Sequence, residues 1–448
     1  MPRRSDEENA RIHGRQGLVV REIERYNADL PAAAREAKYS KMAASAYALY
    51  RGTNHLFWKD FEWDWRLNRF GSYRTRTWLN GDCHAYNFGA YDVRFADDPS
   101  EIRVIYGLND FDEAIVADYQ YDLWRLAVSL VLVATNRTSP ILSRKSTKSV
   151  LDALARTYLD TLRGFAGNEE AHETFYSAKK RTYSRLKKFL EKTERKKSRG
   201  KLLEKWTTEV DGETRFDVEM PRLAPVTEQQ YAKIERAIPA YVETIRSGFG
   251  FSSGFFRVKD VARRLGAGTG SLGAARYYVL IDGDKDSGMD DVILDVKHQA
   301  PPSAYPYASK EQMGLYHELF PNEGIRHQEA YLALGFHPDR LLGWLELDGM
   351  AYSVRERSPY KESFPAEEEL TSEKRFVRMA EQWGRCLATE HARADGIMDY
   401  HLGEEVGALV GERDGEFRRV VREVAFGYAV QVESDWQTFV RDLAPEGR

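Results

Sequence analysis

The sequence has little cysteine, little net charge and no long apolar run. Only Cys83 and Cys386 are cysteines among 448 residues, which excludes a disulfide framework and is typical of a reducing compartment. No stretch reaches the roughly eighteen apolar residues that a membrane span requires, and the basic start "MPRRSDEENARIHGRQG" lacks the apolar core of a signal peptide. We therefore expect a cytoplasmic protein without membrane contact.

A formal net charge of -4 argues against a protein built to bind polyanions, so we expect no nucleic-acid partner. The length and a hydrophobic content of 42% predict a large core divided over two or three domains. The basic run "KKRTYSRLKKFLEKTERKKSRGK", which begins at Lys179, is either a solvated helix face or a patch for an acidic ligand.

The pattern of apolar residues predicts helices over the first seventy residues, with Gly52 as a helix end. Two short strands are predicted in "YRTRTWLNGD" and "EIRVIYGLND", each with a carboxylate after it. The run "YDLWRLAVSLVLVATN" predicts a buried helix with Asp122 at its N-cap. A mainly helical stretch to about residue 245 contains a hairpin at "TEVDGETRFDVEM". Residues 255–356 are strand-rich, and the last eighty are helical.

A glycine-rich segment, "RRLGAGTGSLGAARYYVLIDG", contains Gly268, Gly270, Ser271 and Gly273 in a GxGxxG pattern. Alone, this pattern serves a tight turn as readily as it serves a phosphate. In a dinucleotide-binding unit the glycines lead into a helix, whereas here "ARYYVLI" is typical of a strand. The glycines therefore join two strands, as in the phosphate-covering loop of protein kinases.

The following strand, "VILDVKHQ", ends at Lys297. A buried lysine is costly unless its charge meets a phosphate or a carboxylate, although a lysine at a strand end can also extend into water. We expect Lys297 to hold the phosphates of a nucleotide. As its carboxylate partner in the nucleotide site we prefer Glu329, in "EGIRHQEAYLAL", over Glu311 and Glu318.

The stretch "GDCHAYN" places Asp82 and Asn87 at the D-x4-N spacing of a kinase catalytic loop, where the aspartate is the base and the asparagine binds metal. Asp110, in "NDFDE", is positioned like the metal-binding aspartate of the next kinase loop. Asp112 is either a second ligand or a departure from that pattern. Carboxylate and amide oxygens are the ligands that Mg²⁺ prefers.

Two further residues near this stretch have supporting roles. His84 would complete a metal triad with Asp82 and Asp110, but no HxH or HExxH partner is present. We therefore expect His84 to order the loop by hydrogen bonding. Arg51, in "YRG", would contact a phosphate or brace an acidic loop, and bracing is preferred.

The segments "GDCHAYN" and "NDFDEAIVADYQYDL" resemble GDxHxxN and IDFxD...YDL segments of aminoglycoside and choline phosphotransferases, members of the protein-kinase-like superfamily. The spacing from Asp110 to Asp122 implies that Asp122 braces the catalytic loop through backbone hydrogen bonds. Over nearly the whole chain, "SAYALYRG", "GDCHAYNFG", "NDFDE", "LGAGTGSLGAARYYVL", "VKHQAPPS" and "LLGWLELDGMAYSVRE" resemble the bacterial domain of unknown function 2252 family. That family has no activity attached to its name. Departures are His298, where an acidic residue is expected, and Arg355-Glu356 in place of Arg-Gln.

In an ordinary kinase the glycine loop and lysine precede the catalytic loop, whereas here they follow it. The resemblance therefore implies an α+β, two-lobed protein-kinase-like fold in circularly permuted order. Residues 1–245 would form the helical catalytic region, 246–365 a smaller antiparallel nucleotide-clasping sheet, and 366–448 helices that pack back on the catalytic lobe.

This reading implies a phosphotransferase that depends on ATP and Mg²⁺ and acts on a small-molecule or protein hydroxyl. One alternative is nucleotidyl or another ATP-dependent group transfer on the same fold, and another is a nucleotide-binding regulator without catalysis. The acceptor and the oligomeric state are left open.

Overall fold

The computed structural model describes residues 6–94, 102–135, 140–246, 248, 250–266, 275–284, 290–394 and 400–445. The helices in these ranges are α1 (Asp6–Tyr26), α2 (Ala32–Ala43), α3 (Ala46–Gly52), α4 (Asn54–Phe61), α5 (Gln120–Thr135), α6 (Arg144–Gly164), α7 (Glu170–Glu173), α8 (Ser184–Lys196), α9 (Arg199–Trp206), α10 (Glu228–Val242), α11 (Lys310–Leu319), α12 (Glu323–Leu334), α13 (Ala366–Glu369), α14 (Glu373–Arg393), α15 (Leu402–Val410) and α16 (Asp414–Asp442). Short 3₁₀ turns cover Trp65–Arg69, Tyr73–Thr75, Ala85–Asn87 and Tyr305–Tyr307.

The strands are β1 (Arg76–Leu79), β2 (Phe88–Arg94), β3 (Ile102–Leu108), β4 (Ile115–Asp118), β5 (Thr207–Val210), β6 (Glu213–Phe216), β7 (Leu223–Pro225), β8 (Val258–Arg264), β9 (Arg276–Ile281), β10 (Val292–His298), β11 (Gly343–Leu347), β12 (Met350–Glu356) and β13 (Glu362–Ser363). The predicted α+β class with an antiparallel sheet is confirmed. The β5–β6 hairpin, the end of α3 at Gly52 and the buried helix α5 also agree with the sequence analysis.

The largest sheet has the strand order β11-β12-β10-β9-β8-β7, and all of its pairings are antiparallel. Side chains alternate between the faces of a strand, and on β10 Leu294 and Val296 point into a core shared with α10. Asp295 and Lys297 therefore belong to the opposite face. This face is turned toward the rest of the molecule.

The unit around this sheet begins earlier than the predicted boundary at residue 246. Helix α10 and strand β7 precede that residue, and α9 and β6 bury Trp206 and Phe216 against Tyr278 of the sheet. These long-range contacts, between a polar-looking segment and the sheet face, place the start of the unit near Arg199.

The helical part is built around α5, which is buried along almost its whole length. Helices α6 and α16 pack on it, and α14 packs closely on α6 because Gly384 has no side chain facing the Leu154 carbonyl. The C-terminal helices also meet the N-terminal ones, since Arg15 donates to both Asp60 and Asp435. No helix in the described ranges combines the length and apolar character needed to cross a membrane.

Two small sheets position a pair of loops between α5 and the large sheet. Strand β1 pairs with β4, and β2 pairs with β3 and β13. The loop of residues 80–87 joins β1 to β2, and the loop of residues 109–114 joins β3 to β4. The loops touch at Gly81, which has a φ of 77° and where a Cβ would lie 1.8 Å from the Glu113 carbonyl oxygen. Only glycine allows this approach.

Candidate functional site

Asp122 holds the loop of residues 80–87 in place through its backbone. Its carboxylate accepts hydrogen bonds from the backbone N–H groups of Asn80 at 2.6 Å and Gly81 at 3.0 Å, and His391 Nε2 lies 3.2 Å from the same carboxylate. Helix α5 begins at Gln120, so Asp122 lies in the first turn and not at the N-cap, a small correction to the sequence analysis. The position still lets it satisfy two backbone donors of the loop.

Asp82 is held by a buried arginine that the sequence analysis missed. Arg125 Nε, from α5, donates to Asp82 Oδ1 at 2.7 Å, and the guanidinium lies 4.2 Å from the centre of the Tyr50 ring. Burial raises the pKa of the Asp82 carboxyl to about 7, although the charge of Arg125 opposes this shift. A carboxylate with a pKa near neutrality is suited to general-base chemistry.

His84 lies beside Asp82, and Arg51 lies beside His84. His84 Nδ1 accepts from the Tyr86 N–H at 3.2 Å, and its Nε2 lies 3.3 Å from Arg51 Nε and 3.7 Å from Asp82 Oδ2. Burial and the nearby arginine charges hold the pKa of His84 well below its usual value, so the ring is neutral. Both side chains contact the loop itself.

Asn87 and Asp110 lie where the two loops meet. Asn87 Nδ2 donates to the Asp82 carbonyl at 2.8 Å, which leaves its Oδ1 as the atom that can bind a cation. The Asn109 N–H donates to the Asn87 carbonyl at 3.1 Å, and Asn80 Nδ2 donates to the Asp110 carbonyl. These bonds to the backbone place residue 110 beside the loop of residues 80–87.

This donor set fits a magnesium ion only when a nucleotide supplies further ligands. Within the ranges that the structure describes, no three His, Cys, Asp or Glu side chains form a metal site by themselves. Mg²⁺ is commonly bound through one or two protein oxygens together with substrate phosphates and waters. Asn87 and Asp110 would supply the one or two protein oxygens that such a site needs.

Lys297 reaches the second loop from strand β10 and forms an ion pair with Asp112. Gln299 Nε2 donates to Asp112 Oδ1 at 3.1 Å, and His327 Nε2 lies 3.9 Å from the same oxygen. Burial alone would raise the pKa of Asp112, but Lys297 and His327 outweigh it and hold that pKa well below its usual value. Both Asp112 oxygens are thus engaged by protein donors, which favours holding Lys297 over direct metal binding.

The predicted partner of Lys297 is wrong. Glu329 lies on α12 and forms its ion pair with Arg246 at 2.5 Å, whereas Lys297 meets Asp112. The residues of α12 that reach the loop are His327 and Arg326, whose guanidinium donates to the carbonyls of residues 112 and 114. Glu329 is two positions from His327, about 200° around the helix, and therefore points away.

The residues Gly268, Gly270, Ser271 and Gly273 lie outside the described residues. The segment that contains them connects β8 to β9, which are neighbouring antiparallel strands with Arg263 opposite Tyr277. The predicted connection of two adjacent strands is therefore present. The next strand in the chain is β10, with Lys297 near its end.

A small cleft, with a cavity volume of about 40 Å³, lies between the large sheet and strand β2. Its polar lining includes Asn109, Asp295, Arg355, Arg357 and Lys361. Lys361 Nζ donates to the Asn109 carbonyl at 3.0 Å, and burial lowers the pKa of Lys361 to about 7. The cleft borders Asp110 through Asn109.

The sequence held a usable signal for Arg125 but none for Lys361 or Arg326. Arg125 interrupts an otherwise apolar helix, and a buried charged residue almost always has a partner. Lys361 and Arg326 lie in segments that already contain polar residues, so a charged residue does not stand out there. Their contacts with the loop of residues 109–114 come only from the packing of distant elements.

Comparison with known proteins gives one family match. The family model described as "Uncharacterized protein conserved in bacteria (DUF2252)" matches residues 30–442. No curated protein and no solved structure matches the chain.

Proposed function

This chain belongs to the bacterial DUF2252 family, and we propose that it is an ATP- and Mg²⁺-dependent phosphotransferase with a protein-kinase-like fold in circularly permuted order. One observation carries the proposal. Lys297, from the sheet, meets the loop of Asp110 and Asp112 beside the loop of Asp82 and Asn87. Residues separated by about two hundred positions thus come together in one site.

The order of elements around each loop supports the proposal. In protein kinases a glycine-rich loop covers the phosphates and a lysine on the third strand holds them. Here the segment between β8 and β9 precedes β10 with Lys297. The loop of residues 80–87 is followed by the antiparallel pair β2 and β3 and then by Asp110, which is the sequence of a kinase catalytic loop and its metal-binding loop.

In the proposed reaction the acceptor oxygen attacks the γ-phosphorus of ATP, and the bond from that phosphorus to the β–γ bridging oxygen breaks. Asp82 takes the proton of the acceptor hydroxyl, while Lys297 binds phosphate oxygens. Asn87 and Asp110 would hold Mg²⁺, whose charge would offset that of the phosphates.

In the structure Lys297 pairs with Asp112. Binding of phosphates would replace the Asp112 carboxylate as the partner of the ammonium group, so the lysine exchanges one anion for another. Asp112 keeps the lysine close to the loops until then. Such an exchange avoids leaving a buried charge without a partner.

Isothermal titration of the wild-type protein with Mg-ATP, followed by intact-mass analysis of reaction products, tests the proposal. We expect saturable binding that needs Mg²⁺ and is weakened in Asp110→Asn, and products heavier by one phosphoryl group. Adducts heavier by an adenylyl group would support nucleotidyl transfer instead. Absence of Mg-ATP binding would overturn the proposal.

A further inference from the structure

Two buried polar side chains from the N-terminal helices have few partners and belong to a network that reaches the loop of Asp82. Lys38 of α2 is 2% exposed and His55 of α4 is 1% exposed. Across the described ranges, neither ring nitrogen of His55 has a hydrogen-bond partner. The contacts of Lys38 are the Tyr26 ring, at 5.4 Å, and the more distant charge of Glu113. Burial lowers the pKa of Lys38 to about 8, and the charge of Glu113 opposes this shift only in part.

These side chains belong to a network that reaches the loop of Asp82. The Tyr26 ring stacks on His55 with centroids 4.1 Å apart, and its hydroxyl lies 2.7 Å from Ser303 Oγ. The Ser303 N–H donates to Glu113 Oε2 at 2.7 Å. Asn54 Nδ2 donates to the same carboxylate oxygen at 3.1 Å and to the Gly81 carbonyl at 2.9 Å. Gly81 immediately precedes Asp82.

The network leaves several buried atoms unsatisfied within the part of the chain that the structure describes. Besides the two nitrogens of His55, these are Asn54 Oδ1 and Arg125 Nη1, and Arg125 is the residue that binds Asp82. More than nine in ten buried polar groups in proteins have a partner. A group of unsatisfied atoms in one place, next to a candidate base, therefore indicates a ligand that brings its own polar atoms.

The charged groups near Lys38 and Asp82 indicate the chemistry of the ligand. Glu113 already accepts from Ser303 and Asn54, and Asp82 is paired with Arg125. Among the described residues, no carboxylate forms an ion pair with Lys38, and Glu113 acts on it only from a distance. A neutral His55 offers one donor and one acceptor, since burial lowers its pKa to about 3. An acidic group of the ligand would pair with Lys38, and a hydroxyl of the ligand would lie next to Asp82.

We propose that Lys38, His55 and Asn54 line the acceptor subsite of this enzyme, and that it takes a small molecule in which an acidic group, carboxylate or phosphate, stands near the hydroxyl to be phosphorylated. This assignment rests on the proposed phosphotransfer function and selects the small-molecule acceptor over a protein. The Asp82 side chain is only 17% exposed, and Lys38, His55 and Asn54 are themselves buried. A segment of a folded protein would not enter so enclosed a place.

The test compares acids with the matching alcohol. Wild-type protein, Lys38→Met and His55→Phe are titrated calorimetrically with D-glycerate, glycerol 3-phosphate and glycerol, each without nucleotide. We expect the wild type to bind at least one of the acids and to bind glycerol at least about tenfold more weakly, because a charge-assisted bond to Lys38 is lost. Lys38→Met should bind that acid more weakly than the wild type does, by a similar factor. The preferred acid identifies carboxylate or phosphate.

Lys41→Met is the matched control, since Lys41 is an exposed lysine on the same helix, and it should bind the acids as the wild type does. A purely structural Lys38 would make Lys38→Met less stable in urea, whereas removal of an unpaired buried charge should leave stability equal or higher. His55→Phe keeps the stacked ring, so it tests the subsite even where Lys38→Met fails to fold.

Three results would overturn the inference: no acid bound by the wild type, equal binding of glycerol, or unchanged acid binding in both Lys38→Met and His55→Phe. The separate Mg-ATP titration of the wild type distinguishes this failure from failure of the proposed function. Loss of Mg-ATP binding with retained acid binding would reject phosphotransfer, while the reverse would reject only the acceptor subsite.

Discussion

Arg125 and Asp82 form a buried ion pair in which Arg125 Nε donates to Asp82 Oδ1 at 2.7 Å. The arginine comes from the buried helix α5 and also donates to the Tyr50 carbonyl at 3.1 Å. A carboxylate held in this way has one oxygen bound and the other, Oδ2, turned toward His84 at 3.7 Å. Its orientation is therefore set before any substrate arrives, which is what a general base requires.

Asp82→Asn should remove most turnover of ATP while Mg-ATP binding remains. Asparagine can still accept from Arg125, but it cannot take a proton from the acceptor, and a positioned general base contributes about 10²- to 10⁴-fold in rate. Turnover is measured as ADP release, and binding by calorimetry. Asp29→Asn, at an exposed position, is the control. Full turnover in Asp82→Asn would reject Asp82 as the base.

The rate should also depend on the protonation of Asp82. Burial raises the pKa of this carboxyl to about 7, and only the deprotonated form can act as a base, so kcat/KM should rise as pH increases through about 7. In Arg125→Lys the weaker contact would raise that pKa further, because the positive charge of Arg125 opposes the shift. The rising limb should then move to higher pH. A limb at the same pH in both proteins would contradict the assignment.

The sequence pointed to those candidate residues whose pattern is local, and their roles stay predictions. Asp82 and Asn87 lie within one loop, and Asp110 ends a predicted strand, so their spacing alone was informative. Strands β2 and β4 were not predicted, since β4 has only four residues and β2 contains Gly89. The helix α5 was predicted because its apolar run is long and continuous.

The sequence could not predict the ion-pair partner of Lys297, because that partner depends on how distant elements pack. Lys297 required a carboxylate, and the candidates on α11 and α12 had no spacing that ranked them, whereas Asp112 lies 185 residues away in the chain. The rotation of α12 decides that His327, and not Glu329, faces the loop. The early start of the sheet unit depends in the same way on Trp206 and Phe216 packing against a distant strand.

Asp112→Asn separates the two roles considered for Asp112. If Asp112 holds Lys297, loss of the Asp112 carboxylate frees the lysine for phosphates. We then expect tighter binding of ATP at fixed Mg²⁺. The protein should lose about 1–3 kcal/mol of stability, the usual cost of removing a hydrogen bond to a charged group. Calorimetry and urea unfolding measure both, with exposed Asp348→Asn as control. Weaker, metal-dependent ATP binding would instead assign Asp112 as a magnesium ligand.

Glu390 provides a test of the packing between α14 and strand β3. It is 5% exposed, and its Oε1 accepts from the Leu108 N–H at 2.9 Å. Burial raises the pKa of this carboxyl to about 8. Because the folded-state pKa lies above the unfolded value, Glu390 favours folding most at low pH. That contribution is lost progressively as pH rises from about 4.5 through about 8.

Glu390→Gln should remove this pH dependence while keeping an acceptor for Leu108. At pH 9 the variant should be more stable than the wild type by on the order of 4 kcal/mol, and the difference should shrink toward pH 5. Urea unfolding at both pH values measures the effect, and Glu373→Gln, on an exposed part of the same helix, should leave the pH dependence as in the wild type. Equal pH dependence in wild type and Glu390→Gln would show that Glu390 ionises in the folded protein as it does in the unfolded chain.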